Sequence, residues 1–594
     1  MYVKRHPVGR GDKRYVYLRL VEAYRDERGR VRHRVLKTLG REDELKASGQ
    51  LEQLAGSFAR LDPPLVGVRR EVGPLLLVRH FVEGLGVRET VDRLVPLRSG
   101  RSRLSVGEVV VALIASRLAS PSPLYDVAGW ASQAAVGELL GIPHQLLNDD
   151  RLGRCLEALC PVCEELRGAV LLSALERFGV DAARLHLDLT SLRVAGAYEN
   201  SALIQKGWGP DRRVERQVRT LQATSGEGVP LYVRPDPGAA SELALLGGAL
   251  ERLAAILPRA PLVIADAALG NIKPLLDADR AGISFIVPLR VVTGFRDRFL
   301  AEVGHQALRP LRYSSERDRR LPPGRRTRYR GALARFEVSN PDTDQLRSLR
   351  VAYIHSSEEA REVAAARERA LQKAEHALER AKRGWGRHYR TKEDLDRRVT
   401  HILEPAVEGL IIVQTDTDAD SRPRLTWRRN HAAIERAAHT DGISALATNL
   451  PGRLTAGAVL RAYKQQAHVE RRHRDLKQTL KVRPIFLHND DRISALVSIV
   501  GLALLIFGLI ETEVRKRLDG DGQLPGLLGE GRAARPTGRN ILAAFQGLGL
   551  TYTHHGIRLD RLTPTQRQIL QLLEIQPPWP QQGQPAPTNC GRWS

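Results

Sequence analysis

Hydrophobic positions recur with different periods along the chain. Residues 13–38 alternate apolar and polar side chains around the turn DERGR, which predicts a small basic β-hairpin. Between residues 74 and 178 the apolar positions fall at helical spacing, and Ser105 with Glu108 has the spacing of a capping box at the start of one helix. The chain therefore begins with strands and continues with several short helices.

The period changes to two at residue 183. In ARLHLDLTSLRV the leucines share one face of a strand, and the other face carries His186, Asp188 and Thr190. The apolar run in APLVIADAALGN predicts a buried strand that ends on Asp266. A helix in IKPLLDADRAG and a strand in ISFIVPLR follow. This alternation predicts a mixed α/β core with helices on the faces of its sheet.

Residues 291–456 interrupt this core. Basic strand-like segments alternate there with an Ala-rich charged segment, EEAREVAAARERALQKAEHALERAKRG. That segment has apolar residues at heptad spacing over fewer than four heptads, which favours a helical arm or hairpin over a long coiled coil. The insertion is thus predicted to be rich in strands and to carry one helical arm.

The run ISALVSIVGLALLIFGLI, residues 493–510, is long enough to cross a membrane. It follows a basic segment directly, includes small residues such as Gly501 and Gly508, and stands alone in a polar chain. We therefore predict a buried central helix and no membrane attachment, with a membrane span as the alternative.

The charge balance favours a polyanionic partner. Lys and Arg total 92 against 68 Asp and Glu, for a net charge of +24 and a pI of about 10.3. A surface of this kind suits DNA, RNA or an anionic membrane. The N-terminal segment has no apolar signal core, which predicts that the protein is not secreted.

The four cysteines do not form a recognisable metal motif. Cys160 and Cys163 have the CxxC spacing of redox or zinc sites, but no second CxxC or paired histidines accompany them. We interpret them as helix-packing residues, and so few cysteines are typical of a reducing compartment.

Three carboxylates are candidate metal ligands. Asp188 lies on the polar face of a strand, Asp266 ends a buried strand, and Glu470 is the early carboxylate in the basic segment AYKQQAHVERRHRDLKQTL. Phosphodiester chemistry needs hard oxygen ligands for divalent ions, which carboxylates supply. Each acid also has a simpler interpretation: a solvated strand position, a turn or helix cap, and an incidental glutamate.

The segment around Glu470 has regular spacing. Tyr463, Gln466, Glu470 and Lys477 are separated by three, four and seven residues, which places them along one stripe of an uninterrupted α-helix. Cations on the other sides of the helix, including Arg471 and Arg474, suit contact with a DNA backbone.

This spacing resembles the Tyr-Arg-Glu-Lys (YREK) signature of bacterial insertion-sequence transposases with an Asp-Asp-Glu triad. The order of the motifs LDLT, GWGPDRR, VIADA and DGISALATNL before the glutamate helix is also similar, and so is KVRPIFLHNDDRISALVSIVGLALL after it. The likeness extends to about residue 515. Gln466 stands where the family has Arg, so one positive charge is missing there.

The resemblance implies an RNase H-like mixed β-sheet core flanked by helices and interrupted by the insertion, with the N-terminal hairpin and helical region in front. It further implies that Asp188, Asp266 and Glu470 are catalytic and hold Mg²⁺ or Mn²⁺ as two ions. The residues that it places against DNA are Tyr463 and Lys477, with Gln466 at the position of the family's Arg. We expect Arg471 and Arg474 to contact DNA as well, because they are cations of the same segment.

The implied activity is that of a DNA transposase that binds terminal inverted repeats and catalyses Mg²⁺-dependent end cleavage and strand transfer. The alternatives are a metal-dependent nuclease without strand transfer and an inactive, transposase-derived DNA-binding protein. We expect double-stranded DNA as partner, a homodimer or larger synaptic complex, and a bacterial cytoplasmic location with the nucleoid.

We divide the chain into six regions on these grounds. They are a basic β-hairpin region (1–60), a helical region for DNA-end binding (61–180), the first part of the core (181–290), an insertion subdomain with the helical arm (291–456), the rest of the core with the Glu helix and buried helix (457–518), and a linker with a partly disordered tail (519–594).

Overall fold

The computed structural model of the protein describes residues 2–9, 15–25, 31–51, 53, 66–96, 103–194, 196, 198–208, 213–267, 270–339, 346–403, 407–418, 422–465, 467–481, 487–520 and 522–582. The side chains of a few further residues within helices and strands, including that of Glu470, are also outside this description. The chain forms two compact units. The first contains Met1–Arg70, Leu550–Asp560 and Trp579–Ser594, and the second contains Glu71–Gly549 and Arg561–Pro578.

The first unit begins with an antiparallel three-stranded sheet. Its strands are β1 (Tyr2–Val8), β2 (Tyr15–Arg25) and β3 (Val31–Arg41), and the helix α1 (Glu42–Ala47) follows. The hairpin predicted from the alternating pattern corresponds to β2 and β3. The pattern did not predict β1, an edge strand that contains Pro7, a residue that the free edge of a sheet tolerates.

Helices dominate the start of the second unit, as their spacing predicts. After β4 (Arg69–Glu71) come α2 (Leu75–Leu85), α3 (Val87–Leu94), α4 (Val106–Ala119), α5 (Val127–Gln133), α6 (Val136–Leu140), α7 (Asp149–Leu159) and α8 (Cys163–Phe178). The capping box of α4 is present, because Ser105 Oγ accepts from the Glu108 N–H at 3.0 Å and Glu108 Oε2 accepts from the Ser105 N–H at 2.7 Å. Cys163 is a buried free thiol between packed helices, and burial raises its pKa.

The core sheet has the strand order of an RNase H-like fold. Its strands are β5 (Arg184–Arg193), β6 (Gln205–Trp208), β7 (Val214–Ser225), β8 (Pro230–Pro237), β9 (Leu262–Ala265) and β10 (Ser284–Pro288), with helices α9 (Glu242–Ile256) and α10 (Ile272–Arg280) between the later strands. The order is β8-β7-β5-β9-β10. Strand β7 pairs antiparallel with both β8 and β5, whereas β9 is parallel to β5 and β10 is parallel to β9. The predicted α/β fold class is confirmed.

The insertion has two structural roles. Its elements are α11 (Phe295–Arg298), β11 (Arg309–Pro310), α12 (Glu316–Arg319), β12 (Tyr329–Ser339), β13 (Leu346–Ser356), α13 (Ser357–Lys382), α14 (Lys392–Ile402), β14 (Ile411–Thr417), β15 (Pro423–Arg429), α15 (His431–Ala438) and β16 (Ile443–Thr448). Strands β16, β13, β12 and β11 extend the core sheet beyond β10. Helices α13 and α14 pack with the hairpin β14–β15 around a separate apolar cluster that includes Leu371, Leu378 and Leu395. We call this second part the arm.

Three helices complete the core: α16 (Ala456–Lys464), α17 (Ala467–Arg474) and α18 (Asp490–Lys516). In α18, 94% of the most apolar window is buried, which makes it the central buried helix that we predict and not a membrane span. Its glycines permit close packing against β8, because a Cβ added at Gly501 would lie 2.7 Å from Val233 Cβ, and one at Gly508 would lie 2.5 Å from Pro230 Cδ. These two glycines are seven residues apart and therefore lie on one side of the helix.

A buried ion pair joins α17 to α18. Arg472 and Glu511 are 2% and 1% exposed, and Arg472 Nη1 donates to Glu511 Oε2 at 3.1 Å. Arg472 also donates to Asp475, while Glu511 accepts from the backbone N–H of Gly538 and pairs with Arg515. Burial raises the pKa of Glu511, but these positive and N–H partners outweigh burial and leave its pKa lowered. The carboxylate is therefore charged at neutral pH and anchors α17.

The segment after α18 differs from the linker that we predict for 519–594. Within its described residues it forms α19 (Gly538–Ala544), β17 (Gly549–Thr553), β18 (Gly556–Leu559) and α20 (Pro564–Leu572), and Leu524 is fully buried. The Gly- and Pro-rich composition reflects turns between these short elements. The predicted disordered tail is the Pro- and Gln-rich segment 575–594. Residues 575–582 of it are ordered, since the Ile575 N–H donates to the Leu570 carbonyl at 2.8 Å and the Gln582 N–H donates to the Leu559 carbonyl at 2.8 Å. Residues 583–594 lie outside the described residues.

Gly501→Ala is expected to destabilise the second unit by about 1–3 kcal/mol, because the added methyl group overpacks the contact with Val233. Gly247→Ala in α9 is the matched control. Its added Cβ meets no atom within 4 Å, so higher helix propensity should stabilise that helix by up to about 1 kcal/mol. Urea unfolding midpoints measure both changes, and equal shifts would contradict the close packing of α18 on β8.

Glu511→Gln is expected to lower the free energy of unfolding by about 3–5 kcal/mol, because it removes the buried carboxylate that pairs with Arg472 and leaves that guanidinium group with Asp475 alone of its two described carboxylate partners. Since the folded pKa of Glu511 is lowered, the wild-type contribution is present above the unfolded pKa and is lost as the pH falls through the folded pKa. The control is Glu227→Gln, whose side chain is 38% exposed and pairs with Lys516, with an expected loss below about 1 kcal/mol. Similar losses in both variants would refute the anchoring role.

Candidate active site

Two acids lie side by side where β9 ends. β5 and β9 are parallel, and their last aligned pair is Leu187 with Ala265. Asp188 and Asp266 are the next residues on the two strands, and neighbouring strands are about 4.8 Å apart. Both acids are half-buried. The carboxyl ends of strands are also where α/β sheets collect their ligands.

The polar face of β5 is covered by α17 and the residues that follow it. His473 Nδ1 lies 3.4 Å from Asp188 Oδ2. Lys477 Nζ donates to Thr190 Oγ1 at 2.5 Å. Asp188 and Thr190 share a face because they are two residues apart on one strand. The segment that carries Glu470 therefore lies over the strand that carries Asp188.

The two basic side chains on this face differ in charge. Burial and, as the smaller cause, the charge of Lys477 together lower the pKa of His473 to about 3. The imidazole is therefore neutral at neutral pH, whereas Lys477 is an ammonium group. The neutral ring of His473 next to Asp188 does not repel a cation. The ammonium group of Lys477 lies beside Thr190, two residues further along β5, and can attract an anion.

The predicted helical stripe through Tyr463, Glu470 and Lys477 is wrong as a single α-helix. Helix α16 ends at Lys464, α17 begins at Ala467, and residues Asp475–Thr479 form a π-helical turn closed by the Leu480 N–H on the Asp475 carbonyl at 2.9 Å. A π-helical turn contains an extra residue and changes the direction of the side chains that follow. Lys477 nevertheless reaches the polar face of β5.

The other predicted residues have different surroundings. Tyr463 is half-buried and packs against the apolar cluster that contains Ile264 and Ile286. Arg471 is half-buried and Arg474 is exposed, both in α17. Glu470 lies in α17, one turn before position 473, but its side chain is outside the description.

Gln466 lies outside the described residues. Among the side chains that the structure describes, there is no group of three or more His, Cys, Asp or Glu that could hold a metal ion. The described part of the site therefore consists of Asp188, Asp266, His473, Thr190 and Lys477. Its two carboxylates are hard oxygen donors, which suit a hard divalent cation.

Sequence reasoning missed two contacts of this site. The sequence pattern does not single out His473, although His473 lies next to Asp188. It also gives no reason to expect that Arg472, one of several cations in a basic segment, is buried against Glu511. The available signal was Glu511 itself, the first charged residue after the apolar run 493–510, because a carboxylate that continues a buried face needs a partner.

Three family profiles match consecutive parts of the chain. The N-terminal domain of IS1634 family transposases matches residues 3–63, a domain of unknown function, DUF4277, matches residues 69–164, and the transposase DDE domain matches residues 183–506. No curated protein matches the chain.

A solved structure that the chain resembles is the cryo-EM structure of the piggyBac transposase synaptic complex with hairpin DNA. The sequence identity is 10%, the likeness covers 74% of each chain, and the TM-score is 0.32. The DDE profile alone spans more than half of the 594 residues, and the IS1634 profile precedes it. The chain therefore belongs to the insertion-sequence transposases with a DDE catalytic domain.

Proposed function

We propose that Asp188, Asp266 and Glu470 are the three acids of the DDE domain. The observation that carries this assignment is the register of β5 and β9, which makes the two aspartates neighbours. The contact between His473 and Asp188 supports the third acid, because position 470 precedes position 473 by one turn of the same helix.

The DDE domain implies a divalent metal ion, and the residues present fit one. Asp188 and Asp266 offer carboxylate oxygens, the ligands that Mg²⁺ and Mn²⁺ prefer. The ring of His473 is neutral, so it places no positive charge next to Asp188. We propose two ions, Mg²⁺ or Mn²⁺, held by Asp188, Asp266 and Glu470. When bound, such a pair neutralises phosphate charge and activates a hydroxyl group for in-line attack.

The basic residues around the acids are proposed to hold the DNA strand. Lys477 is the best supported, because its ammonium group sits beside Thr190 on the face that carries Asp188. We assign backbone contacts to Tyr463, Arg471 and Arg474 as well. Gln466 supplies an amide where the resembling family has a guanidinium group, so it adds no charge to the phosphate contact.

The full activity that we propose is binding of terminal inverted repeats, cleavage at the transposon ends, and attack of the freed 3′-OH on target DNA. We assign end recognition to the helical region 61–180, which is separate from the acids in sequence. We further propose a homodimer or larger synaptic complex that acts in the cytoplasm on nucleoid DNA. The inverted repeats can be read directly from the DNA that flanks the gene.

Asp188→Asn, Asp266→Asn and Glu470→Gln should each reduce Mg²⁺-dependent cleavage of end DNA by more than about 100-fold, because loss of even an outer-shell partner costs 10- to 100-fold. DNA binding measured by mobility shift without metal should stay close to wild type. Asp277→Asn is the control, since Asp277 pairs with Arg280 on the exposed surface of α10. Normal cleavage by any one of the three variants would remove that acid from the triad.

The same assay with labelled 3′-OH ends and a supercoiled target separates a transposase from a nuclease that shares its core. Joined products that depend on all three acids are expected. Cleavage without any joining would support the nuclease alternative.

Lys477→Met should weaken binding of end DNA. The negative slope of log K, the association constant, against log salt should become shallower by about 1, because one phosphate contact is lost. Lys477→Arg should keep the slope, since it keeps the charge. Lys373→Met, an exposed position of α13, is the control for net charge. An equal slope change in the Lys373 and Lys477 variants would exclude a specific phosphate contact at Lys477.

A further inference from the structure

The arm contains a basic cleft. The C-terminal part of α13, the loop after it and the C-terminal part of α14 surround an open space of about 660 Å³. Its lining has six basic side chains and no carboxylate: Arg380, Arg383, Arg387, His388, Arg398 and His401. All six are exposed to solvent.

Three of the four arginines of this cleft have no carboxylate partner among the described residues. From Arg380 to Lys392, both included, the chain has six Lys and Arg residues and no Asp or Glu. Within the part of the chain that the structure describes, Arg380, Arg387 and Arg398 form no ion pair. Arg383 pairs with Glu379, but both side chains are well exposed, at 78% and 41%, so water screens this pair.

Other arginines of the same arm behave differently. Arg429 donates to both Glu368 and Glu375, and these carboxylates raise its pKa. Arg367 forms a two-pronged pair with Asp441 at 2.7 and 2.6 Å. These arginines are neutralised by partners within the fold. The cleft therefore differs from these two sites in having positive charge that no carboxylate of its lining balances.

The loop that forms one wall of the cleft is held in place. The Gly384 N–H donates to the Ala381 carbonyl at 2.8 Å, and the His388 N–H donates to the Gly384 carbonyl at 2.8 Å. Tyr389, 4% exposed, belongs to the apolar cluster of the arm. A wall fixed in this way loses little conformational entropy when a ligand binds.

We propose that this cleft binds backbone phosphates of duplex DNA, as a second contact surface separate from the acids on β5 and β9. Guanidinium groups match phosphate oxygens in a forked geometry, and contacts of this kind position a duplex without reading its sequence. The cleft then fixes the path of the DNA over the insertion. The inference relies on DNA as the substrate of the family, and it does not depend on the assignment of the three acids.

The test uses the full-length protein with Arg383, Arg387 and Arg398 all changed to Gln. Binding to a duplex unrelated in sequence to the element ends is measured without metal over a range of salt concentrations. We expect at least about 10-fold weaker binding at low salt. The negative slope of log K, the association constant, against log salt should become shallower by about 3, one unit for each lost phosphate contact. Wild-type affinity and slope would overturn the proposal.

The control removes the same charge from exposed positions of the arm outside the cleft, with Arg361, Arg369 and Arg397 changed to Gln. None of these three side chains lines the cleft, and Arg361 and Arg369 lie among the glutamates of α13. We expect less than about a 3-fold change, with the slope nearly kept. If both triple variants weaken binding equally, net charge explains the effect and the cleft has no specific role.

A third variant, with Arg383, Arg387 and Arg398 changed to Lys, keeps the charge and should keep the salt slope, with some affinity lost because Lys lacks the forked geometry. A slope as shallow as that of the Gln variant would overturn the phosphate contact.

Because the readout is metal-free binding, the Asp188→Asn protein should bind DNA as the wild type does. Failure of the cleft and failure of the triad are thereby distinguished.

Discussion

The parallel pairing of β5 with β9 is the constraint on which the proposed active site depends. It aligns Leu187 with Ala265, and so it sets Asp188 beside Asp266. A slip of one residue would turn Asp188 to the face occupied by the leucines, because side chains alternate along a strand. Leu185 and Leu187 are fully buried and hold the register, so the packing of the apolar face decides where the acids lie on the polar face.

Contacts with α18 fix the position of α17, the helix that carries Glu470. Helix α18 packs closely on β8 through Gly501 and Gly508, and its carboxylate Glu511 holds Arg472 of α17. Helix α17 in turn meets β5 through His473. The position of the segment that carries Glu470 therefore depends on the same buried helix that completes the core. A buried ion pair is costly to desolvate, and here it links two elements that must keep one fixed arrangement.

The insertion extends the core sheet and also carries an arm with its own apolar cluster. Strands β16, β13 and β12 continue the sheet, so this part of the insertion is built on the same framework as β5 and β9. The arm adds surface that the sheet does not provide. Its basic cleft would then contribute DNA affinity without altering the geometry of the acids, since phosphate contacts act through charge and position.

Local pattern alone predicted the strands β5, β9 and β10, the buried helix, and Asp188 and Asp266 as polar positions on or beside two of those strands. A period of two and a continuous apolar run are properties of neighbouring residues, so the sequence shows them directly. Only the tertiary structure decided the edge strand with Pro7, the π-helical turn before Leu480, and the burial of Arg472. Strand β1 is defined by its pairing with β2, and the burial of Arg472 depends on Glu511, which lies 39 residues further along the chain. Hydrophobic periodicity indicates which side of a helix or strand is buried, but it does not indicate which other element packs against that side.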